Sequence, residues 1–288
     1  MGIHKSTLQL LRLPFSVFLM PVYFFALSQL VLINWSRAAL VFVILHLLVY
    51  PASNGYNSYM DRDTSPIGGV RQPLPPTRQL YHLTLLMDVA AVVLSFFVSL
   101  LFAAGIGAYI LASRAYSSRS IRLKQYPVTG YLTVMLFQGA LTFFLVYHGC
   151  SATLKTTAPL SGIIAAGLLI GGFYPLTQIY QHQQDKADGV TTLSYRLGYR
   201  GTFVFAGVVY SAALLFLGYT FLSSLLFTPF LLLLLFFLPV LVYFLWWARQ
   251  VWKDVSAASF EHTMRMNVIA SLCTNLGFLT VLIMNHLE

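Results

Sequence analysis

The sequence predicts an all-α fold, a polytopic membrane bundle of nine transmembrane helices with its N-terminus in the cytoplasm. Three observations predict it. Only 9% of the residues are charged and 58% are hydrophobic, where soluble domains carry about 25% charged residues. Apolar runs long enough to cross a bilayer, about 20 residues each, recur along the whole length. Basic residues also crowd alternate connections, as they do when helices cross back and forth. A β-barrel would show ten-residue segments of alternating hydropathy, and the sequence has none.

The first apolar stretch, 14–33, lacks a small-residue cleavage site after it, so it is expected to be a retained helix rather than a signal peptide. The opening "MGIHKS" matches the myristoylation pattern, but six loosely specified positions carry little weight in a chain with many spans. The second span, 38–60, runs into "NGYNSYMDRDTSPIGG" at 54–69, where Pro66 and the glycine pair end it. The third and fourth, 80–101 and 103–117, are divided only by "FAAGIG" at 102–107, so residues 80–116 read as one very long helix or as two. Spans follow at 128–149, 159–181, 202–222, 225–247 and 264–286, and the run "PFLLLLLFFLP" at 229–239 reads as lipid-facing.

Charge decides the ambiguous pair. With nine spans, 15 of the 17 Lys and Arg fall on one side and only Arg37 and Lys155 on the other. Merging the third and fourth spans scatters the basic loops over both sides. Basic excess marks the cytoplasmic face, so loops 61–78, 114–124 and 182–200 are placed there and the C-terminus outside. The net charge of +9 then reports orientation and not nucleic-acid binding. Cys150 and Cys273 lie in or beside apolar segments without CxxC spacing and read as small apolar filler. The whole chain, 1–288, reads as a single transmembrane domain.

Acids are scarce, 8 in the chain, yet Asp61, Asp63, Asp185 and Asp188 all fall in these cytoplasmic loops. Asn57 and Asp61 are four apart and share one helical face. Asp63 reaches the same point if the last turn frays. In "YPLTQIYQHQQDKADGVTTLSYRLG", 174–198, the spacing of Gln178, Gln181, Asp185 and Asp188 predicts a second oxygen-rich face that ends at Gly189. Two such faces suit a hard divalent cation. Mg²⁺ takes oxygen ligands and is commonly held by one or two carboxylates plus the phosphates of a substrate. A diphosphate would be repelled by the acids alone, and a bridging cation reverses that sign. The basic residues of 114–124 would neutralise the remaining phosphate oxygens. The plainer account of any single acid is a helix cap or an interfacial ion pair, but two matched faces at one membrane side are harder to explain that way. Asp88, inside the third span, stands apart. An acid there costs roughly 2.5–3.5 kcal/mol when charged. It reads either as functional or as a protonated group bonded to a neighbouring helix.

These segments resemble the UbiA superfamily of intramembrane prenyltransferases. The family's first signature is close to "NDxxDxxxD" followed by an "RPLP"-like stretch. Here Asn57 and Asp61 match, and "RQPLP" at 71–75 approximates the tail with one residue inserted. The second signature, an acid-rich run leading into "GxxTLPVRLG", is similar to Asp185 followed by "GVTTLSYRLG" at 189–198. "AYSSRSIRLKQYPVTG", 115–130, resembles the family's loop between the fourth and fifth helices, with Tyr116 and Lys124 as the equivalents. The family's nine helices agree with the span count. This chain departs from the pattern at Ser58 and Ser65, where acids are common, and at Gln178 and Gln181, where the family often has Asp. Amide oxygens can ligate Mg²⁺ but bring no charge, and Asp63 and Asp188 are placed to compensate.

The resemblance implies a Mg²⁺-dependent transfer of an isoprenyl group from a prenyl diphosphate to a small aromatic, quinone-type acceptor. It implies Asn57, Asp61, Asp63, Asp185 and Asp188 as metal ligands and Asp61, Asp185 and Lys124 as the residues carrying the chemistry. Arg71, Tyr116, Arg122, Lys124, Tyr174, Gln178 and Gln181 are the implied substrate-binding set. Tyr180 and His182 could line the chamber, although ordinary packing is the plainer reading. The implied location is a plasma membrane, in a bacterium the inner membrane, with the site facing the cytoplasm. A catalytically degenerate lipid-binding or transport protein on the same fold is the alternative. It draws on the missing acids, whereas transporters often show inverted repeats and this sequence shows none.

Overall fold

A chain in hydrocarbon must satisfy its own backbone N–H and C=O groups, which leaves helices or closed barrels. The computed structural model describes residues 2–287, and these form helices joined by short connections, with two isolated β-bridges and no strand among them. Among the described residues nine helices build the bundle: α1 (Lys5–Ser28), α2 (Trp35–Asp61), α3 (Arg78–Ser95), α4 (Leu100–Ser117), α5 (Pro127–Cys150), α6 (Leu160–Ala187), α7 (Leu193–Ser223), α8 (Phe227–Lys253) and α9 (Phe260–His286). Eight are long and apolar enough to cross a membrane. The exception is α3, which is diluted by Arg78, His82 and Asp88.

Three differences from the sequence expectation bear on the packing. Helix α1 starts at Lys5, and it breaks at Arg12, which takes a left-handed conformation (φ 48°) ahead of Pro14. It then continues as a tight 3₁₀ stretch over Leu13–Leu19. The break between α3 and α4 falls at 96–99 and not at 102–107. Ser99 caps α4 there, its Oγ accepting from the Phe102 N–H at 3.0 Å. The glycines of "FAAGIG" lie within α4. A Cβ on Gly105 would come within 2.4 Å of Leu145 on α5, so this glycine serves a close helix crossing and not a turn. Helix α7 begins at Leu193 rather than at 202 and absorbs a kink at Gly198 (φ 70°).

The two ends of the bundle differ chemically. At one end Arg37 donates to the carbonyls of Ser151 and Ala152, and the Asn34 N–H donates to the Cys150 carbonyl at 2.8 Å. Lys155 follows on the same connection. The acid-bearing and basic connections gather at the opposite end. Between them, in the half of the bundle nearer Arg37, Phe25, Phe143, Phe221 and Phe278 from α1, α5, α7 and α9 pack into a core with no solvent exposure. Phe25 lies 4.7 Å from both Phe143 and Phe278, centroid to centroid. The half nearer the acids stays open as a cavity.

Where α5 passes α6 it widens into a π-helical stretch, Met135–Leu141. A Cβ on Gly139 would lie 2.6 Å from the Gly167 Cα and 2.7 Å from the Ala166 carbonyl. Backbone cannot give way as a side-chain tip can. Gly139→Val is therefore expected to destabilise the fold by roughly 3 kcal/mol, the upper part of the overpacking range, seen as a lower unfolding temperature in detergent. An unchanged transition would show that the crossing is loose.

Candidate active site

Helix α2 supplies the first acid. Asn57 and Asp61 stack as their spacing predicts, with the Asn57 Nδ2 donating to Asp61 Oδ2 at 2.9 Å and to Ser117 Oγ of α4 at 3.1 Å. The helix ends on Arg62 in the left-handed region (φ 54°), and this turns Asp63 back toward the bundle. Asp63 does not swing freely, because Gln184 of α6 donates to its Oδ1 at 2.6 Å and also accepts from Ser65. Burial, and then the charge of Asp61, push the Asp63 carboxyl up to about 6, while Lys124 and Arg12 pull it down.

The second acid arm is the end of α6. The helix tightens into a 3₁₀ turn over Ile179–Gln181, resumes over His182–Ala187 and ends at Gly189 (φ 70°). The expected single face is thus wound more tightly, but Gln178, Gln181, Asp185 and Asp188 still line one cavity. Buried Gln178 donates to the Tyr174 hydroxyl at 2.8 Å, and Tyr174 in turn bonds to the Tyr116 hydroxyl of α4. Gln181 approaches the Pro66 carbonyl at 3.5 Å, tying the two arms together.

The cations come from the connection between α4 and α5. A left-handed Arg122 (φ 51°) and a 3₁₀ turn over Leu123–Gln125 direct Lys124 onto the Asp61 carboxylate. Arg122 pairs with Asp188 and stands 4.0 Å from Asp61 Oδ1. That oxygen is buried and has no hydrogen-bond partner among the described residues, and neither has Gln178 Oε1.

The cavity so formed measures about 470 Å³. It is lined by Asn57, Asp61, Asp63, Tyr116, Lys124, Tyr174, Gln178, Gln181, Asp185 and Asp188, and Arg122 sits just behind Asp61 and Asp188. Arg71 is the exception. The extended segment that follows α2 is held against α1 by Gln9, which donates to the Gln72 carbonyl and accepts from the Leu74 N–H. Arg71 consequently faces solvent, 74% exposed, and pairs with Glu261 at 2.9 Å away from the cavity. Its expected place is taken by Arg12, which the sequence reading missed. Arg12 is half-buried on the cavity wall, donates to the carbonyls of Gly68 and Asn54 at 3.3 Å each, and leaves its Nε without a partner among the described residues. A lone arginine two residues ahead of a proline, at the edge of the first apolar stretch, was the available signal. Gln184 was missed as well, since it falls between the residues that share the expected face.

The other candidates separate cleanly. Tyr180 lines the cavity. His182 is a packing residue, bonded to Ser194 at 2.8 Å and stacked on Tyr199. Asp88 has a cationic partner: Arg114 of α4 donates to its Oδ2 through Nε at 2.8 Å and lies 3.9 Å from the centroid of the Tyr56 ring.

Among the described residues no three His, Cys, Asp or Glu side chains converge closely enough to hold a metal alone. The donors present are all oxygen, however, and Asp61 Oδ1 and Gln178 Oε1 are unclaimed. Asp63 and Asp185 face the same space. This set fits a hard cation that takes its remaining ligands from a bound anion and from water, and it does not fit a thiolate- or imidazole-seeking metal.

Solved structures share the architecture. A UbiA homolog from Archaeoglobus fulgidus, in a structure bound to GPP and Mg²⁺, matches with a TM-score of 0.70 at 16% identity, over 96% of this chain and 99% of that one. An apo UbiA homolog from Aeropyrum pernix K1 matches with a TM-score of 0.71 at 13% identity, over 93% and 98%. A structure described for digeranylgeranylglyceryl phosphate synthase matches with a TM-score of 0.64 at 16% identity, over 97% and 98%. No curated protein sequence matches the chain. At such identities the likeness is one of fold, but the sequence profile of the UbiA prenyltransferase family matches residues 16–269, nearly the whole bundle, and this multi-pass membrane protein belongs to that family.

Proposed function

We propose that the protein is an intramembrane prenyltransferase that moves an isoprenyl group from a prenyl diphosphate to a small aromatic acceptor, with Mg²⁺ as cofactor. The observation that carries this reading is the meeting of Asp61 and Asp185, from two different helices, around Lys124 in one cavity that also holds the unclaimed Asp61 Oδ1. The family supports the donor class, and the relatives bound to GPP or DMAPP with Mg²⁺ support both donor and cation.

Asn57, Asp61, Asp63, Asp185 and Asp188 would hold the cation. When bound, Mg²⁺ supplies the positive charge that lets two acid-bearing arms receive a diphosphate. The chain's own part is then electrostatic. As the allylic C–O bond breaks, its electron pair goes to the departing diphosphate. Lys124, Arg12 and Arg122 stand where that charge grows. The allylic carbon bonds to the acceptor ring, which gives up a proton. Tyr109, Val134, Phe137, Ile170 and Phe173 line the apolar wall, and they would sleeve the isoprenoid and keep water from the cation. The tyrosine pair Tyr116–Tyr174, held by Gln178, fixes the boundary between the polar and apolar regions. The clustering of basic connections at the cavity's end of the bundle supports a cytoplasmic opening.

The rival is a binding protein on the same fold. It is favoured by the direct neutralisation of Asp61 by Lys124 and by amides at 178 and 181. Purified protein in lipid, given labelled geranylgeranyl or farnesyl diphosphate, Mg²⁺ and a panel of aromatic acceptors, separates the two. Diphosphate release that stops on adding EDTA is expected. Tight donor binding without release from any donor would establish the binding protein instead.

A further inference from the structure

Helix α9 carries a stripe of polar residues four apart, Thr263, Asn267, Ser271 and Asn275, which lie above one another on a single face. Its two ends are used differently. Ser271 and Asn275 both donate to the Val17 carbonyl of α1, at 2.9 and 3.1 Å. That carbonyl already accepts from the Met20 N–H at the end of the 3₁₀ stretch, and the two side chains tie α9 to the same point. This half of the stripe is structural.

Thr263 and Asn267 border the cavity, are only 1% and 3% exposed, and are left over. Thr263 Oγ1 and Asn267 Oδ1 have no hydrogen-bond partner among the described residues. The Asn267 amide nitrogen reaches only the Met264 sulfur, at 3.8 Å. Several other buried helix hydroxyls bond back to their own helix: Ser95 to the Ala91 carbonyl at 2.6 Å, Thr202 to Gly198 at 2.7 Å, Thr220 to Phe216 at 2.8 Å. Thr263 does not. Ser58 Oγ, like Thr263, has no partner among the described residues, but it does not line the cavity. Leaving a buried polar group unpaired costs about 1–3 kcal/mol, and two such groups side by side on a cavity wall indicate a ligand that pairs with them.

The chemistry of that ligand follows from the atoms. An amide oxygen accepts, so it needs an O–H or N–H. An ionised diphosphate could accept from the Thr263 hydroxyl but offers nothing to Asn267 Oδ1, and it belongs with Lys124. The surrounding wall is Phe15, Phe18 and Leu19 of α1 with Tyr180, which suits a flat apolar body. We infer that Thr263 and Asn267 form the subsite that reads a hydroxyl on the aromatic acceptor, and so select acceptors that carry a hydrogen-bond donor. This rests on the prenyltransferase reading for the word acceptor, while the site itself needs no turnover to be tested.

The test compares 1-naphthol with 1-methoxynaphthalene, which keeps the ring and loses the donor, binding to the full chain in detergent. The wild type is expected to prefer the naphthol by about tenfold, the worth of one or two net hydrogen bonds. In Thr263→Val/Asn267→Leu the preference should vanish, while Thr263→Ser retains it. Mg²⁺-dependent binding of geranyl diphosphate by the double variant should stay at the wild-type level, which also shows that the variant is folded. A wild type without preference, or a double variant that keeps it, overturns the inference. Absence of diphosphate release overturns the prenyltransferase reading and leaves the naphthol comparison standing as a result in its own right.

Discussion

Replacing Asp61 with alanine is expected to lower Mg²⁺-dependent diphosphate release by on the order of 10³-fold, the upper part of the range for one electrostatic group aimed at developing charge. Asp61 is the point where the polar contacts of the cavity meet: it accepts from Asn57 and Lys124 and faces Arg122. Its second oxygen is buried and has no hydrogen-bond partner among the described residues. Removing the carboxylate would take away a proposed metal ligand and leave Lys124 without its partner in the cavity. Asp61→Asn keeps the volume and removes only the charge, so it should fall as far as alanine does. If either variant kept a tenth of wild-type release at an unchanged unfolding temperature, the cation would have to be held elsewhere.

Asp88→Ala is expected to be the most destabilising single change, by about 3–5 kcal/mol, the cost of leaving a buried charge without its partner. The pair joins α3 to α4, its side chains only 10% and 20% exposed, and the Arg114 guanidinium is enclosed by Asp88, Thr84 and the Tyr56 ring. With Asp88 gone, Arg114 would keep its charge in an apolar seam. The same seam holds the 2.5 Å bond between Ser53 of α2 and Ser113 of α4, both of which border the cavity. A fall of roughly 10 °C in the detergent melting temperature is expected, given about 2–4 °C per kcal/mol for a domain of this size. Asp88→Leu/Arg114→Met, which removes both charges and keeps apolar volume, should recover most of it. A double variant as unstable as the single one would mean that the ion pair itself, and not the orphaned arginine, holds the seam.

The sequence conveyed much of this because a bilayer leaves so few options. Apolar runs gave eight of the nine helices directly, and the basic residues resolved α3 from α4 although α3 is the least apolar of the set. The acid faces were legible because i,i+4 spacing survives folding, as Asn57 and Asp61 demonstrate. What was not legible depended on partners remote in the chain. "FAAGIG" has the composition of a break, and only Leu145, forty residues on, makes Gly105 a helix contact. Arg71 sits in the family-like "RQPLP" run, yet Gln9 pins that segment to α1 and sends the guanidinium to Glu261. Arg12 reaches the cavity because its own left-handed turn sends the side chain there. Gln184 could not be ranked above its neighbours without knowing that Asp63 would come within reach.

The plug of four phenylalanines in the other half of the bundle makes the chamber a cul-de-sac. A charged ligand that enters at the acid-bearing end meets apolar packing beyond the cavity, so it would leave by the way it came. On the proposed reading, donor uptake and diphosphate release would share one face of the membrane, and turnover would open no path for ions across it.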